Sequence, residues 1–261
     1  MINSLWISKT GMEAQQMQLD VISNNLANVN TVGFKRDRAN FETLLYQNFR
    51  DPGSQTSQNS QSPTGLAIGT GVRIVSSEKI YSQGNIINTD NSLDMTIDGS
   101  GFFQVLTPSG QVAYTRAGNF TKNAQGQLVT PNGYPLEPAI TIPANATSIS
   151  ISKDGIVSVA TAGTGAIEQV GQIEIATFPN TSGLKPTGES FALATPSSGD
   201  PAVAAPGGNG SGRIIQGALE SSNVNVVEEL VSMIETQRAY EVNSKAIASV
   251  DGMMKFLTQN I

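Results

Sequence analysis

The chain has 261 residues, 38% of them hydrophobic and 14% charged, with a formal net charge of −6. Length and apolar content allow one large domain or two small ones with a real core, and the acidic balance argues against a nucleic-acid partner, whose phosphates need clustered Lys and Arg. Neither Cys nor His occurs, which excludes disulfides, Cys–His dyads, Ser–His triads and ordinary zinc sites and leaves only carboxylates, Lys and Tyr for catalysis.

At the start, Ile2, Leu5, Trp6 and Ile7 are followed by Lys9 and Glu13 before any hydrophobic run develops, so no cleaved signal peptide is expected. No stretch approaches the ~20 apolar residues of a membrane span, so membrane insertion is not expected either. Taken alone, these two features point to a cytoplasmic protein. The first thirty residues read as a helix: they lack Pro and carry Leu5, Met12, Leu19 and Leu26 at intervals of seven. Ile22 and Val29 fill intervening heptad positions, although Gln15 occupies one of them. Asn24, Asn25, Asn28 and Asn30 weaken the helix, and the turn at Thr31, Val32 and Gly33 ends it. The basic residues Lys35, Arg36 and Arg38, interrupted by Asp37, read as a solvated turn rather than an anion site.

Residues 51–65 (DPGSQTSQNSQSPTG) hold no large apolar side chain and read as a linker. Beyond them, short apolar runs at 72–75, 86–87, 93–97, 102–106, 111–115 and 173–178 alternate with Gly, Asn, Asp and Pro clusters. In the last run Ile173, Ile175 and Thr177 alternate with Glu174 and Ala176, as in a half-buried strand. Turns are expected at 108–110, 123–126, 131–133 and 154–155. Their spacing of about ten residues favours an antiparallel sandwich or barrel over alternating β and α units. Residues 197–212 (SSGDPAVAAPGGNGSG) read as a second linker.

The last thirty-eight residues return to helical spacing, with Val226, Met233, Tyr240, Ile247, Met254 and Ile261 every seven residues. Leu230, Val250 and Leu257 join the same stripe, and Gln237 and Ser244 interrupt it. Asn223 or Asn225 is the expected cap, with Glu228 and Glu229 in the first turn favoured by the helix dipole. The expected fold is therefore α+β: long N- and C-terminal helices pairing as a coiled-coil hairpin, a central antiparallel β-rich domain, and extended connectors. The expected division is 1–35 with 223–261 as a helical core, 36–71 with 212–222 as connector, and 72–211 as the β-rich outer domain. Periodicity alone equally allows both helices to pack on the core of one globular domain. A single two-helix seam does not offset the entropy of ordering some sixty-five residues, so such a hairpin needs neighbouring copies.

The stretch from Ser23 through Asn24, Asn25, Leu26, Asn28 and Gly33 to Phe34 and Lys35 resembles the asparagine-rich motif of the axial proteins of the bacterial flagellum, the rod, hook and filament-junction subunits. Gln237, Arg238, Tyr240 and Asn243 fall within a stretch that resembles that family's terminal-helix motif. Two further stretches, 97–105 (IDGSGFFQV) and 114–120 (YTRAGNF), resemble the β domain shared by hook and rod subunits. Length points to the distal or the neighbouring proximal rod type, and the opening MINSLW, the run GTGVR at 69–73 and the Gln/Ser-rich insertion after Tyr46 resemble the distal-rod type within the family. The resemblance implies a structural subunit rather than an enzyme, with no catalytic residue, cofactor or metal. It also implies export in the unfolded state through the flagellar type III export apparatus, which overturns the cytoplasmic reading, and polymerisation into a rigid helical tube through the terminal helices. Implied partners are further copies of the chain, neighbouring proximal-rod and hook subunits, and the P- and L-ring proteins, at a periplasm-spanning basal body. Asp51, Pro52, Gly53, Pro63 and Gly65 then mark a loop that stiffens the rod by reaching an adjacent subunit.

Other signals carry less. The run GNGSG at 208–212 lacks the strand and helix of a phosphate loop, and Asp90, Asp94 and Asp98 lack the alternation of a calcium loop. Two alternatives stay open from sequence: a proximal-rod or hook subunit of the same family, and a secreted glycan-binding or glycan-degrading β protein.

Overall fold

The computed structural model of the protein describes residues 2–57, 60–161, 167–208 and 210–259, so Ile261 and the Leu257 side chain lie outside the described residues. The fold is α+β, with a helix near each end and a β-rich region between them. The chain divides into two compact units: Met1–Leu26, Asp37–Glu78 and Asn225–Ile261 form the first, Ala27–Arg36 and Lys79–Val224 the second.

In the first unit, α1 (Ile2–Ala27) ends three residues before the expected boundary, and α2 (Val226–Gln259) follows its expected extent. Of the two cap candidates, Asn225 caps α2: its Oδ1 accepts the Val227 N–H at 3.1 Å, and the helix starts with Glu228 and Glu229 in its first turn. Two side-chain contacts link the helices, in antiparallel order. Asn243 Nδ2 donates to Gln15 Oε1 at 3.2 Å, and Asn25 Nδ2 lies 3.4 Å from Glu229 Oε1. Gly11 faces Asn243 so closely that an added Cβ would sit 3.2 Å from its Nδ2.

The same unit holds a long two-stranded ribbon. Strands β1 (Asp37–Thr43), β2 (Gln47–Arg50) and β3 (Gln55–Ser57) run outward, and β4 (Ser60–Gln61), β5 (Leu66–Ile68) and β6 (Val72–Lys79) return. They pair as β1–β6, β2–β5 and β3–β4. Arg38 pairs with Glu78 across the ribbon, Asn40 with Ser76 at 3.2 Å and Arg73 with Glu42 at 3.1 Å. Residues 51–57 and 60–65 are thus not an unstructured linker but the ribbon's outer part, where Gly53 N donates to Ser62 O and Ser62 N to Ser54 O, each at 2.9 Å. No apolar alternation marked them as strands, because the segment holds no large apolar side chain to alternate.

The second unit is built on a seven-stranded sheet. Strands β7 (Ile86–Asn88) and β8 (Met95–Asp98) precede its centre, formed by β9 (Phe102–Leu106) and β10 (Val112–Thr115). The sheet order is Lys185–Gly188, Phe191–Leu193, β10, β9, Ile175–Thr177, Ala202–Ala204, with Leu136–Glu137 also on β9. Those pairings are antiparallel, and Ala146–Ile151, Ile156–Thr161 and Ile167–Gln172 form a separate antiparallel meander. Alternation along β9 sends Phe103 and Val105 into the larger core with Met95, Ile97 and Phe120, while Phe102 joins a smaller cluster with Tyr114 and Phe178. Ile175 and Ala176 divide the same way, so that run is buried on both faces rather than half-buried. The expected turns form, with positive φ at Gly110, Gly126, Gly133 and Gly155. Residues 197–208 are not a free linker: Ala202–Ala204 forms the outermost strand beyond Ile175–Thr177, and Ser198 is fully buried. Pro201 and Pro206 bracket this short strand, which is where proline is tolerated in a sheet. Arg213–Gln216 pairs with β8, and Ala218–Glu220 with β7, just before the chain leaves for α2.

Candidate functional site

The asparagine-rich stretch is divided between the two units, and its residues hold chain passages in place. In the first unit, Asn25 is inside α1 and buried rather than marking its end. Its Oδ1 accepts the Asp37 N–H at 2.8 Å and its Nδ2 donates to the Asp37 carbonyl at 2.9 Å, the two bonds a neighbouring strand would make. Asn24 Nδ2 reaches the Asp37 carboxylate at 3.1 Å. One helical turn of side chains thereby fixes where β1 starts.

In the second unit, Asn28 closes the turn after α1, accepting Thr31 Oγ1 at 3.3 Å on its side chain and the Thr31 N–H at 3.1 Å on its carbonyl. Gly33 follows with φ +68°, and its N–H donates to the Glu220 carbonyl at 2.8 Å. A Cβ there would lie 2.5 Å from Ala117 N, so no other residue fits without backbone movement. Phe34 carries the Lys79 ammonium 4.8 Å above its ring.

Lys35 corrects the expectation of a solvated basic turn. Its ammonium is 2.5 Å from Glu220 Oε1 and donates to Ser82 O at 2.7 Å, with 2% of its side chain exposed. Glu220 is fully buried; its Oε1 also accepts the Gly84 N–H at 2.8 Å, and its Oε2 lies 3.4 Å from Arg116. Arg116 donates to the carbonyls of Gly99 and Ile97 at 2.6 and 3.2 Å and stacks over Phe102. Burial lowers the Lys35 pKa, opposed by Glu220, and likewise lowers that of Arg116. One carboxylate thus serves two cations. Nearby, Asn223, the other cap candidate, accepts the Arg36 N–H at 2.8 Å and donates to Ile80 O at 2.8 Å. The residues leaving α1, those entering the β-rich region and those returning toward α2 all end on this polar cluster.

Glu220 and Arg116 were not singled out from the sequence as site residues. The available signal was alternation: in LES, at 219–221, a carboxylate sits where a strand directs its side chain inward.

The helical stripe lies otherwise. Among its members Ile22 is buried; Leu5, Met12, Leu19, Leu26, Val29, Met233, Ile247 and Val250 are half-buried; Val226, Leu230, Tyr240 and Met254 are exposed. Gln237 and Arg238 are exposed as well. A second apolar row follows α2, with Val227, Val231, Ile234, Val242, Met253 and Phe256 all exposed. At 100° per residue these two rows lie on nearly opposite sides of the helix. The ribbon is similarly bare, with Leu45 90% exposed and Tyr46, Phe49, Leu66 and Ile68 also open. Among the described residues no acidic group is arranged to hold a metal ion, and no helix is long and apolar enough to cross a membrane.

Three family models match this chain. One for flagella basal body rod proteins covers residues 6–35, one for the flagellar hook protein FlgE/F/G D1 domain covers 96–159, and one for the flagellar basal body rod FlgEFG protein C-terminal region covers 215–260. The flagellar basal-body rod protein FlgG of Buchnera aphidicola subsp. Schizaphis graminum is 54% identical, covering 99% of this chain and 100% of its own. The protein of that name from Caulobacter vibrioides is 48% identical over 99% of both chains, and that from Bacillus subtilis 39% identical over 98% of both.

Proposed function

The chain belongs to the FlgG family of flagellar basal-body rod proteins, and on that premise we propose that it is a structural subunit of the distal rod, a stiff helical tube assembled from its own copies. The observation that carries this reading is the apolar surface of the helices. A helix apolar on two opposite sides is built to be covered on both, and α2 has one side toward α1 and another bare. Copies stacked end to end make non-closing, heterologous contacts, as a filament requires. The seam pairs Leu5, Met12, Leu19, Ile22 and Leu26 of α1 with Leu230, Met233, Tyr240 and Ile247 of α2 as a coiled-coil hairpin that neighbouring copies complete. Helices of this kind remain marginal until packed, which suits a chain exported unfolded. The β-rich unit then faces outward, toward the P- and L-rings, with proximal-rod and hook subunits at the two ends of the shaft.

Replacing Val231 and Ile234 together by Asp is expected to abolish polymerisation. Both side chains are about half exposed, so the monomer's stability should move by no more than about 0.5 kcal/mol. Normal rods from the double variant, seen by negative-stain electron microscopy, would refute the helix-mediated assembly.

The ribbon supplies the stiffness in this reading. An isolated two-stranded ribbon is marginal in water, and this one leaves Leu45, Tyr46 and Phe49 uncovered. Cover from an adjacent subunit would stabilise the ribbon and oppose bending. Deleting residues 51–65 is expected to give a rod that curves like a hook. A shaft that stays straight in electron micrographs removes the stiffening role.

A further inference from the structure

The β-rich unit carries a groove of ≈ 290 Å³ whose walls include Val32, Ala117, Pro131 and Phe191. Glu189 is its one charged lining residue. Two features mark this groove as built for contact. Glu189 and the next residue, Ser190, are consecutive non-glycine residues with φ of +54° and +63°, a conformation that L residues adopt at a cost and that is held here by the Thr115 hydroxyl on the Ser190 carbonyl at 2.9 Å. The Glu189 carboxylate is oriented by a neutral donor, Asn132 Nδ2 at 2.9 Å, and its charge raises the pKa of nearby Tyr134. Neither neighbour neutralises the charge. The groove therefore offers an oriented, uncompensated carboxylate beside apolar walls, and it fits a cation flanked by an apolar side chain.

The ribbon presents that combination. Pairing of β2 with β5 shifts register between Asn48 and Arg50, so Phe49 is bulged out of the ladder and 62% exposed. Arg50 beside it is exposed, and its guanidinium makes no hydrogen bond or ion pair among the described residues. The other side chains of β2, Gln47 and Asn48, are neutral. We propose that the Glu189 groove of one copy receives Phe49 and Arg50 from the ribbon of a second copy, with Arg50 pairing with Glu189 and Phe49 lying against Val32 and Pro131. This rests on the reading that the chain polymerises, and it names the receiving surface for the ribbon.

The absence of Cys makes the test clean. Chains carrying only Asn48→Cys are mixed with chains carrying only Pro131→Cys, polymerised and mildly oxidised. A disulfide between residues 48 and 131 of different chains is expected, identified by mass spectrometry after non-reducing digestion. In parallel, Arg50→Glu and Glu189→Arg should each raise the critical concentration for assembly about tenfold, and the doubly exchanged chain should restore it to within about threefold. Rods that form normally but give no such disulfide, or a double exchange no better than either single one, would overturn the groove assignment. Failure of the unsubstituted chain to form rods bears instead on the polymer reading.

Discussion

Glu220→Gln is expected to cost the β-rich unit about 3–5 kcal/mol, the usual penalty for leaving buried charge without its partner. The substitution keeps shape, and an amide oxygen in place of Oε1 still accepts from Gly84 N and Lys35, so what is lost is chiefly the charge. Lys35 and Arg116 would then face each other inside the protein with no anion, where the existing cluster already has two cations to one carboxylate. The same count predicts an order. Lys35→Met leaves Arg116 and Glu220 as a balanced pair and removes a desolvated ammonium, at the loss of the bond to Ser82 O. Its cost should be smaller, about 1–2 kcal/mol. Urea unfolding with unchanged slope would measure both as shifts in midpoint. A Lys35 variant less stable than the Glu220 variant would show that hydrogen bonding rather than charge balance holds the cluster.

That cluster also shows where sequence reading stops. The run at 102–106 was legible because its apolar residues sit between a glycine and a turn, and the turn at Gly110 because Pro-Ser-Gly admits few other conformations. The α2 cap was legible to within one choice, Asn223 or Asn225, since both are two-way hydrogen bonders at a helix start. Local chemistry decides such features, and local chemistry is visible in a single chain. Lys35 was not legible. Its neighbours Arg36 and Arg38 are polar, and the residue that draws it inward is 185 positions away. The role of Asn25 was hidden for the same reason: an asparagine late in a helix reads as a residue that weakens it until the Asp37 backbone it clamps is in view. The outer part of the ribbon failed differently. A strand without large apolar residues gives period-two alternation, the main strand signal, nothing to report. In each case the residue type was readable, and the partner or geometry that gives it its place was not.

Gly33→Ala is expected to destabilise the β-rich unit by about 2–5 kcal/mol, through two separable effects. The first is conformational: φ +68° lies in the left-handed region, where a Cβ costs about 1–2 kcal/mol. The second is steric. The added carbon would sit 2.5 Å from Ala117 N and 2.7 Å from the Arg116 carbonyl carbon, both backbone atoms that no rotamer change can move aside. Forcing that approach adds about 1–3 kcal/mol, as overpacking does elsewhere. Gly110→Ala provides the matched control, because Gly110 has φ +78° in the same unit and nothing within 4 Å of its missing Cβ. It should cost only the conformational part. The difference between the two variants then measures how tightly the segment leaving α1 is pressed against the residues around Arg116. Displacing that segment also pulls on the Gly33 N–H to Glu220 bond and on Lys35 two residues later. Gly33→Ala should therefore couple to Glu220→Gln, the double variant costing less than the sum of the singles. Equal losses for Gly33→Ala and Gly110→Ala would mean that the glycine is needed for its turn alone, and strict additivity would mean that the turn and the charge cluster are held independently.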